Sequence, residues 1–362
     1  MVAEKKEDRI RYLDGLRGLA IFLVGMGHFF NEYVLFRGGW IGLNLFFLLS
    51  GYLITGRLYY HARGDGKNYF RNFYTRRVLR IFPLYYGCLF IFFIVLPLYY
   101  GNYAVHFSGL YGDQLWYWFY LENWQLAFHG IKGNLTLFHF WSLSVEEQFY
   151  LCWPLIFLCS GERGRRIAAM LGIIVAIFFR CLAVTSAMAY FSTLTAFEPL
   201  LMGALICMFK KEGRLELVKA YVPWVAGLCL ILLVGLLINN PDAGISNRPL
   251  LLYGYTAIDV VLAYLLYGSL LKSRRGEWLR KVFSSGWLVW LGKYSYGLYV
   301  FHWLILQTFV QKGQMVLLQK GMGGLEAYLL PRIAGIGVVL VIGYVSYHLY
   351  EKQFLRWKKY FS

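Results

Sequence analysis

The 362-residue sequence predicts an all-α polytopic membrane protein of about ten transmembrane helices, with both termini cytoplasmic. Three observations predict it. The composition is 59% hydrophobic and only 15% charged, with mean hydropathy +0.50, whereas a soluble domain carries roughly 25% charged residues. Apolar stretches long enough to cross the bilayer, about 20 residues each, recur along the whole chain. Lys and Arg concentrate in alternate connecting segments, as the positive-inside rule requires.

Taken in order, the apolar stretches are roughly 14–33, 40–57, 80–100, 141–159, 167–187, 193–209, 222–239, 251–271, 287–310 and 331–350. With the N-terminus inside, the inner segments hold 28 Lys and Arg and the outer segments 6, while Arg180 and Lys293 fall within spans. The first apolar stretch has no small-residue cleavage site after it and reads as a span, not a removable leader. No repeat or low-complexity linker divides the chain, so residues 1–362 are expected to form one transmembrane domain. The net charge of +17 lies between the spans and not in a basic domain, which argues against a nucleic-acid partner and for topology signals and phosphate contacts. Six cysteines lie in or beside apolar stretches without disulfide or metal-ligand spacing and read as small apolar residues. The outer segment 101–140 is rich in aromatics, among them Trp116, Trp118 and Trp124. It suits either an interfacial aromatic belt or a platform on which a sugar ring stacks.

Ionisable side chains inside spans are expensive and mark function. In the first span Asp14, Arg17 and His28 share one helical stripe with Gly18 and Gly25, small residues that permit close helix contact. Arg17 and His28 are separated by roughly 16 Å of helix rise, which puts Arg17 near the inner face and His28 in the outer half. The fourth span opens from the outer side with Trp141, Ser142, Ser144, Glu146 and Glu147. Its carboxylates come to a depth similar to that of His28, where a carboxylate can hold an imidazole in the tautomer that acts as a base. Ahead of Pro83, Arg76, Arg77 and Arg80 stand at helical neighbour spacings. Such a cluster suits anionic lipid, and its guanidinium groups also suit bidentate contact with a phosphorylated cofactor.

Several motifs in order resemble the membrane-bound acyltransferase 3 family. Tyr12-Leu-Asp-Gly-Leu-Arg17-Gly-Leu-Ala followed by His28 resembles that family's basic residue, ten residues, then histidine. Gly42-Leu-Asn-Leu-Phe-Phe-Leu-Leu-Ser50-Gly, Phe73-Tyr-Thr-Arg76-Arg77-Val-Leu-Arg80-Ile-Phe-Pro83, and Phe140-Trp141-Ser-Leu-Ser144-Val-Glu146-Glu147-Gln-Phe-Tyr continue the match. Leu291-Gly-Lys-Tyr-Ser-Tyr-Gly-Leu-Tyr-Val-Phe-His302 and Tyr350-Glu351 extend it nearly to the end. One departure stands before Leu200-Leu-Met-Gly203: the family often has Arg-x-Asp, and here the positions hold Ala196 and Glu198.

The resemblance implies a stand-alone O-acyltransferase, without an SGNH domain, in the bacterial inner membrane. It implies transfer of an acyl group, acetyl above all, from acyl-CoA to a hydroxyl of a sugar in a surface polysaccharide, glycolipid or related glycoconjugate. In that scheme Arg77 and Arg80, with Arg76 third, hold the CoA phosphates. His28 is general base or acyl relay, Glu146 before Glu147 orients it, and Asp14 pairs with Arg17. Asn44, Ser50, Ser142 and Ser144 are candidates to donate to the developing oxyanion, and Trp141 to touch the acceptor; no metal is required. The rival class is a polytopic transporter or flippase, which also explains buried His and Glu. It commonly shows inverted repeats, and no duplication is apparent here.

Overall fold

In the computed structural model, residues 10–33, 36–61, 68–100, 112–131, 136–240, 242, 244 and 247–361 are described, and all regular structure among them is helical. The parts of the aromatic outer segment at 101–111 and 132–135 lie outside the described residues. Each of the ten expected apolar stretches is helical over most of its length. The long helices are α1 (Arg11–Phe29), α2 (Ile41–His61), α3 (Tyr69–Phe90), α4 (Trp141–Cys159), α5 (Glu162–Leu182), α6 (Thr193–Lys211), α7 (Val222–Asn239), α8 (Tyr255–Leu270), α9 (Gly286–Ile305) and α10 (Gly324–Ser346). Six stretches are both long and apolar enough to cross a membrane by strict composition: those containing α2, α3, α6, α7, α8 and α10. The chain is therefore a multi-pass membrane protein.

Several helices outrun the apolar stretches that announce them. α3 starts at Tyr69, eleven residues before the expected span, because nothing between Tyr69 and Arg80 breaks a helix. The arginines at 71, 76, 77 and 80 thus ride on helix and not on loop. It continues through a π turn at Ile91–Val95 to Tyr100. α9 runs through a π turn into Gln311–Gln319, and α10 begins seven residues early with Pro331 inside it. α5 is shifted the other way, ending at Leu182 where Ala183 turns extended, and a short helix at Ser186–Phe191 precedes α6.

The centre of the bundle is α1, packed between α9 and α2, with α6 on the far side of α2 and α5 beyond it. Close approach depends on missing side chains. A Cβ on Gly18 would lie 1.9 Å from the carbonyl oxygen of Leu288, and one on Gly292 would lie 1.8 Å from that of Asp14. Gly25, expected to serve the same contact, instead faces open space. α7 is apolar all round and buries only Ala226 and Leu233, which leaves Trp224, Leu228 and Ile231 outward, as for a helix against lipid.

Candidate active site

α1, α2, α3, α4 and α9 each give polar side chains to one central cavity of about 740 Å³. Arg17, Arg77 and Arg80 line it together with Ser50, Glu146 and Tyr150, and Ser142 and Tyr299 line it as well; Leu43, Phe46, Phe47 and Leu143 supply apolar wall. Residues far apart in sequence meet here because α4 packs on α2 and α9 packs on α1.

Two hydroxyl chains organise the cavity. The Tyr150 hydroxyl donates to Glu146 Oε2 at 3.0 Å, so its oxygen is left to accept from Ser50 Oγ at 2.5 Å. The Arg77 guanidinium lies 5.4 Å from the centroid of the Tyr150 ring, a cation–π contact that places the positive charge over the same residue. In the second chain Tyr299 donates to the backbone oxygen of His139 at 2.8 Å, and Ser142 meets the Tyr299 oxygen at 2.5 Å. Nothing in the sequence distinguishes Tyr150 and Tyr299, because tyrosine is abundant throughout it.

At the foot of α1, Arg17 Nη1 lies 3.6 Å from Asp14 Oδ1, the pairing expected from their spacing. Arg17 and Arg77 also share electrostatic contact with Tyr150. Glu147 turns a carboxylate oxygen into buried space without a hydrogen-bond partner, close to Glu146 and Arg77.

His28 and Glu146 do not meet, although helical rise sets them at similar depth. Glu146 accepts from Tyr150, whereas the rings against His28 are His302, at 5.3 Å between centroids, and Trp303, at 4.8 Å. His302 lies in turn 5.3 Å from His139. His139 Nε2 is 3.0 Å from the Val300 carbonyl and His302 Nδ1 is 2.5 Å from that of Tyr299. A ring nitrogen facing a carbonyl donates, which leaves His139 Nδ1 and His302 Nε2 as acceptors, and both are buried without a partner. The three imidazoles form a layer behind Tyr299, next to the arginine-lined cavity. They are not arranged as a metal site among the described residues.

The four side chains expected to face an oxyanion already have other acceptors. Asn44 Nδ2 donates to Asp259 Oδ1 at 2.6 Å, and Ser144 donates to Glu122 Oε2 at 2.6 Å; neither lines the central cavity. Ser142 and Ser50 do line it, but their protons are drawn to Tyr299 and Tyr150. Donors that remain directed to the cavity are therefore the guanidinium groups. Trp141 stands with Asn44, Asp259 and Arg180 in a smaller neighbouring cavity that shares the Phe47 wall. There Arg180, from α5, donates to Glu198 at 2.5 Å. The guanidinium absent at Ala196 is thus brought by another helix.

The acyltransferase-domain family model matches residues 10–348. The chain belongs to the acyltransferase 3 family. Over 323 residues it is 30% identical to the peptidoglycan O-acetyltransferase of Listeria monocytogenes, covering 81% of this chain and 49% of that protein. It is 28% identical over 328 residues to a putative peptidoglycan O-acetyltransferase of Bacillus subtilis, 83% of this chain and 49% of the other. A putative O-acetyltransferase of Staphylococcus aureus is 26% identical over 325 residues, 83% of this chain and 52% of that protein. The chain thus spans about half the length of these curated relatives. No solved structure matches. Of the residues that the sequence motifs single out, Arg17, Arg77, Arg80 and Glu146 line the central cavity and His28 does not.

Proposed function

We propose that this chain is a membrane O-acyltransferase that takes an acyl group, acetyl in the first instance, from cytoplasmic acyl-CoA. The acceptor is a hydroxyl of a cell-surface glycan. In this reading residues 1–362 form one transmembrane domain of ten spans in the bacterial inner membrane, with both ends inside. The observation that carries it is the central cavity, with three arginines from two helices converging on one chamber beside Glu146 and Tyr150. Family membership and relatives named as O-acetyltransferases support the reaction class over a transporter. The peptidoglycan named for two of them makes a cell-wall sugar the first acceptor to try.

The donor enters from the inner side, where Arg77 and Arg80 bind its phosphates bidentately. A pantetheine arm of about 20 Å exceeds the roughly 16 Å rise between Arg17 and His28, so the thioester reaches the level of the histidine layer. His28 takes the proton from the acceptor hydroxyl, the oxygen attacks the thioester carbon, and the C–S bond breaks to release CoA thiolate, which recovers that proton. His302, and not Glu146, is the group placed to orient His28, while Glu146 fixes Tyr150 at the donor side.

Transfer of label from acetyl-CoA to a glycan by purified protein in proteoliposomes tests the proposal. His28→Ala is expected to reduce it by roughly 10²–10⁴-fold, the size of a lost general base. Undiminished transfer in that variant rules out the base. Glycan crossing the bilayer without any labelled product would favour the transporter instead.

A further inference from the structure

A second chamber of about 370 Å³ opens on the inner side of the central cavity, lined by Arg57, Phe73, Arg76, Arg77, Arg80 and Lys358. Five of these six are basic side chains, and no described carboxylate lines the chamber. The charges act strongly on one another: Arg57 is repelled by Arg77, Arg76 and Arg80, and Lys358 by all four arginines. Like charges crowded around one enclosed space favour an anion there, and a multiply charged one best.

Two of the five come from outside the arginine cluster of α3. Arg57 stands on the last turns of α2, and Lys358 on a single 3-10 turn, Trp357–Tyr360, that follows α10 some 280 residues later. The segment that carries Lys358 is fastened across the chamber. Arg76 Nη1 donates to the carbonyl oxygens of Lys358, at 3.4 Å, and Phe361, at 3.2 Å, and Tyr350 reaches the Pro83 carbonyl of α3 at 3.1 Å. Arg76 therefore gives part of its donor set to the strap, which separates its task from those of Arg77 and Arg80. Those two line both chambers, so the spaces meet at their guanidinium groups.

Resting on the acyl-CoA reading above, we propose that the phosphorylated ribose of the donor occupies this second chamber. Arg57 and Lys358 complete its phosphate site, and Arg76 is a positioning residue that clasps segment 357–361 over it. A phosphomonoester carries about −1.5 to −2 charge near neutral pH, and with a diphosphate beside it the ligand suits a chamber of four arginines and Lys358. Arg77 and Arg80 take the diphosphate at the junction, so the rest of the donor leads on into the central cavity. Anionic lipid offers the same phosphate chemistry from the membrane side.

The test is binding of CoA, 3′-dephospho-CoA and adenosine 3′,5′-bisphosphate to the full chain in nanodiscs of phosphatidylcholine or phosphatidylglycerol. Lys358→Met and Arg57→Gln are each expected to weaken CoA by roughly 10- to 100-fold, the usual loss for a charged hydrogen bond. Their affinity for 3′-dephospho-CoA should stay within about threefold of wild type, and Lys358→Arg should restore CoA binding. Arg76→Gln should weaken CoA and open the strap to trypsin, with CoA no longer protecting it. Unchanged CoA affinity in both Lys358→Met and Arg57→Gln, alongside loss in Arg77→Gln, overturns the second chamber while leaving the donor reading intact. Failure of wild type to bind either CoA or the bisphosphate overturns both. Weaker CoA binding in phosphatidylglycerol than in phosphatidylcholine, with the difference gone in Lys358→Met, gives the chamber to a lipid headgroup and overturns its assignment to the donor.

Discussion

Arginine serves two regions of this bundle, singly in one and as a group of four in the other, and the two are built on opposite charge balances. In one, Arg180 is 3% exposed and its hydrogens go to Glu198, the Thr195 carbonyl and the Thr256 hydroxyl, with the Tyr255 ring at 5.9 Å. Asn44 and Asp259 close the network beside it. In the other, Arg57, Arg76, Arg77 and Arg80 are only partly buried and line one chamber with no described carboxylate in its wall. A guanidinium already matched by a carboxylate ties helices together. A chamber walled mainly by basic side chains suits an anion that arrives and departs.

The largest expected effect breaks the first region. Arg180→Ala leaves Glu198 buried and unpaired, and its cost is about 3–5 kcal/mol of stability, read as loss of folded protein in a detergent melt. The double change Arg180→Met with Glu198→Leu should recover most of it, since an apolar pair of similar volume needs no desolvation. If the single variant melts like wild type, the pair is not structural.

Arg77→Gln or Arg80→Gln should do the reverse. CoA affinity falls by about 1.5–3 kcal/mol while the melt holds or improves, because removing one of several like charges relieves repulsion. A melt that drops as steeply as that of Arg180→Ala would put these arginines in the scaffold as well.

The smallest effect sharpens the contrast with a charge that has no cation at all. Glu122, in the short helix Glu122–His129, accepts from Ser144 and leaves its other oxygen unpartnered. Burial pushes its carboxyl up to about 8 from an ordinary 4.5. The folded form holds the proton more tightly than the unfolded one, so stability is greatest below about pH 4.5 and declines as pH rises toward 8. Glu122→Gln should melt with wild type near pH 5 and above it near pH 9. Each tenfold difference in proton affinity between the folded and unfolded forms contributes about 1.4 kcal/mol to that gap. Parallel melting curves across the same range would show that Glu122 stays ionised in the folded state.

Helix positions are well legible from hydropathy: α4 and α7 fall on the residues expected of them. Local pairing is legible too, since Asp14 and Arg17 are one helical turn apart. Depth can be reckoned from helical rise, and it sets His28 and Glu146 at similar heights. Rotation about the helix axis cannot, and it turns Glu146 into the arginine-lined cavity and His28 toward His302. In the sequence Lys358 is one more inner basic residue, because nothing near it in the chain marks the cavity it closes. Arg180 is an isolated charge in a span for the same reason: its partner is on another helix.

The packing of α1 against α9 and α10 also dictates when the molecule can be finished. Phe29, at the end of α1, accepts from Arg332 of α10, 303 residues away. At a synthesis rate of about 5–20 residues per second, that partner emerges roughly 15–60 s after its acceptor. For most of that interval, until α9 follows, the first helix waits in the membrane with its glycine face uncovered, and His28 has no His302 beside it. The histidine layer is thus among the last parts of the protein to assemble, and a ribosome that stops before α9 leaves a bundle without it.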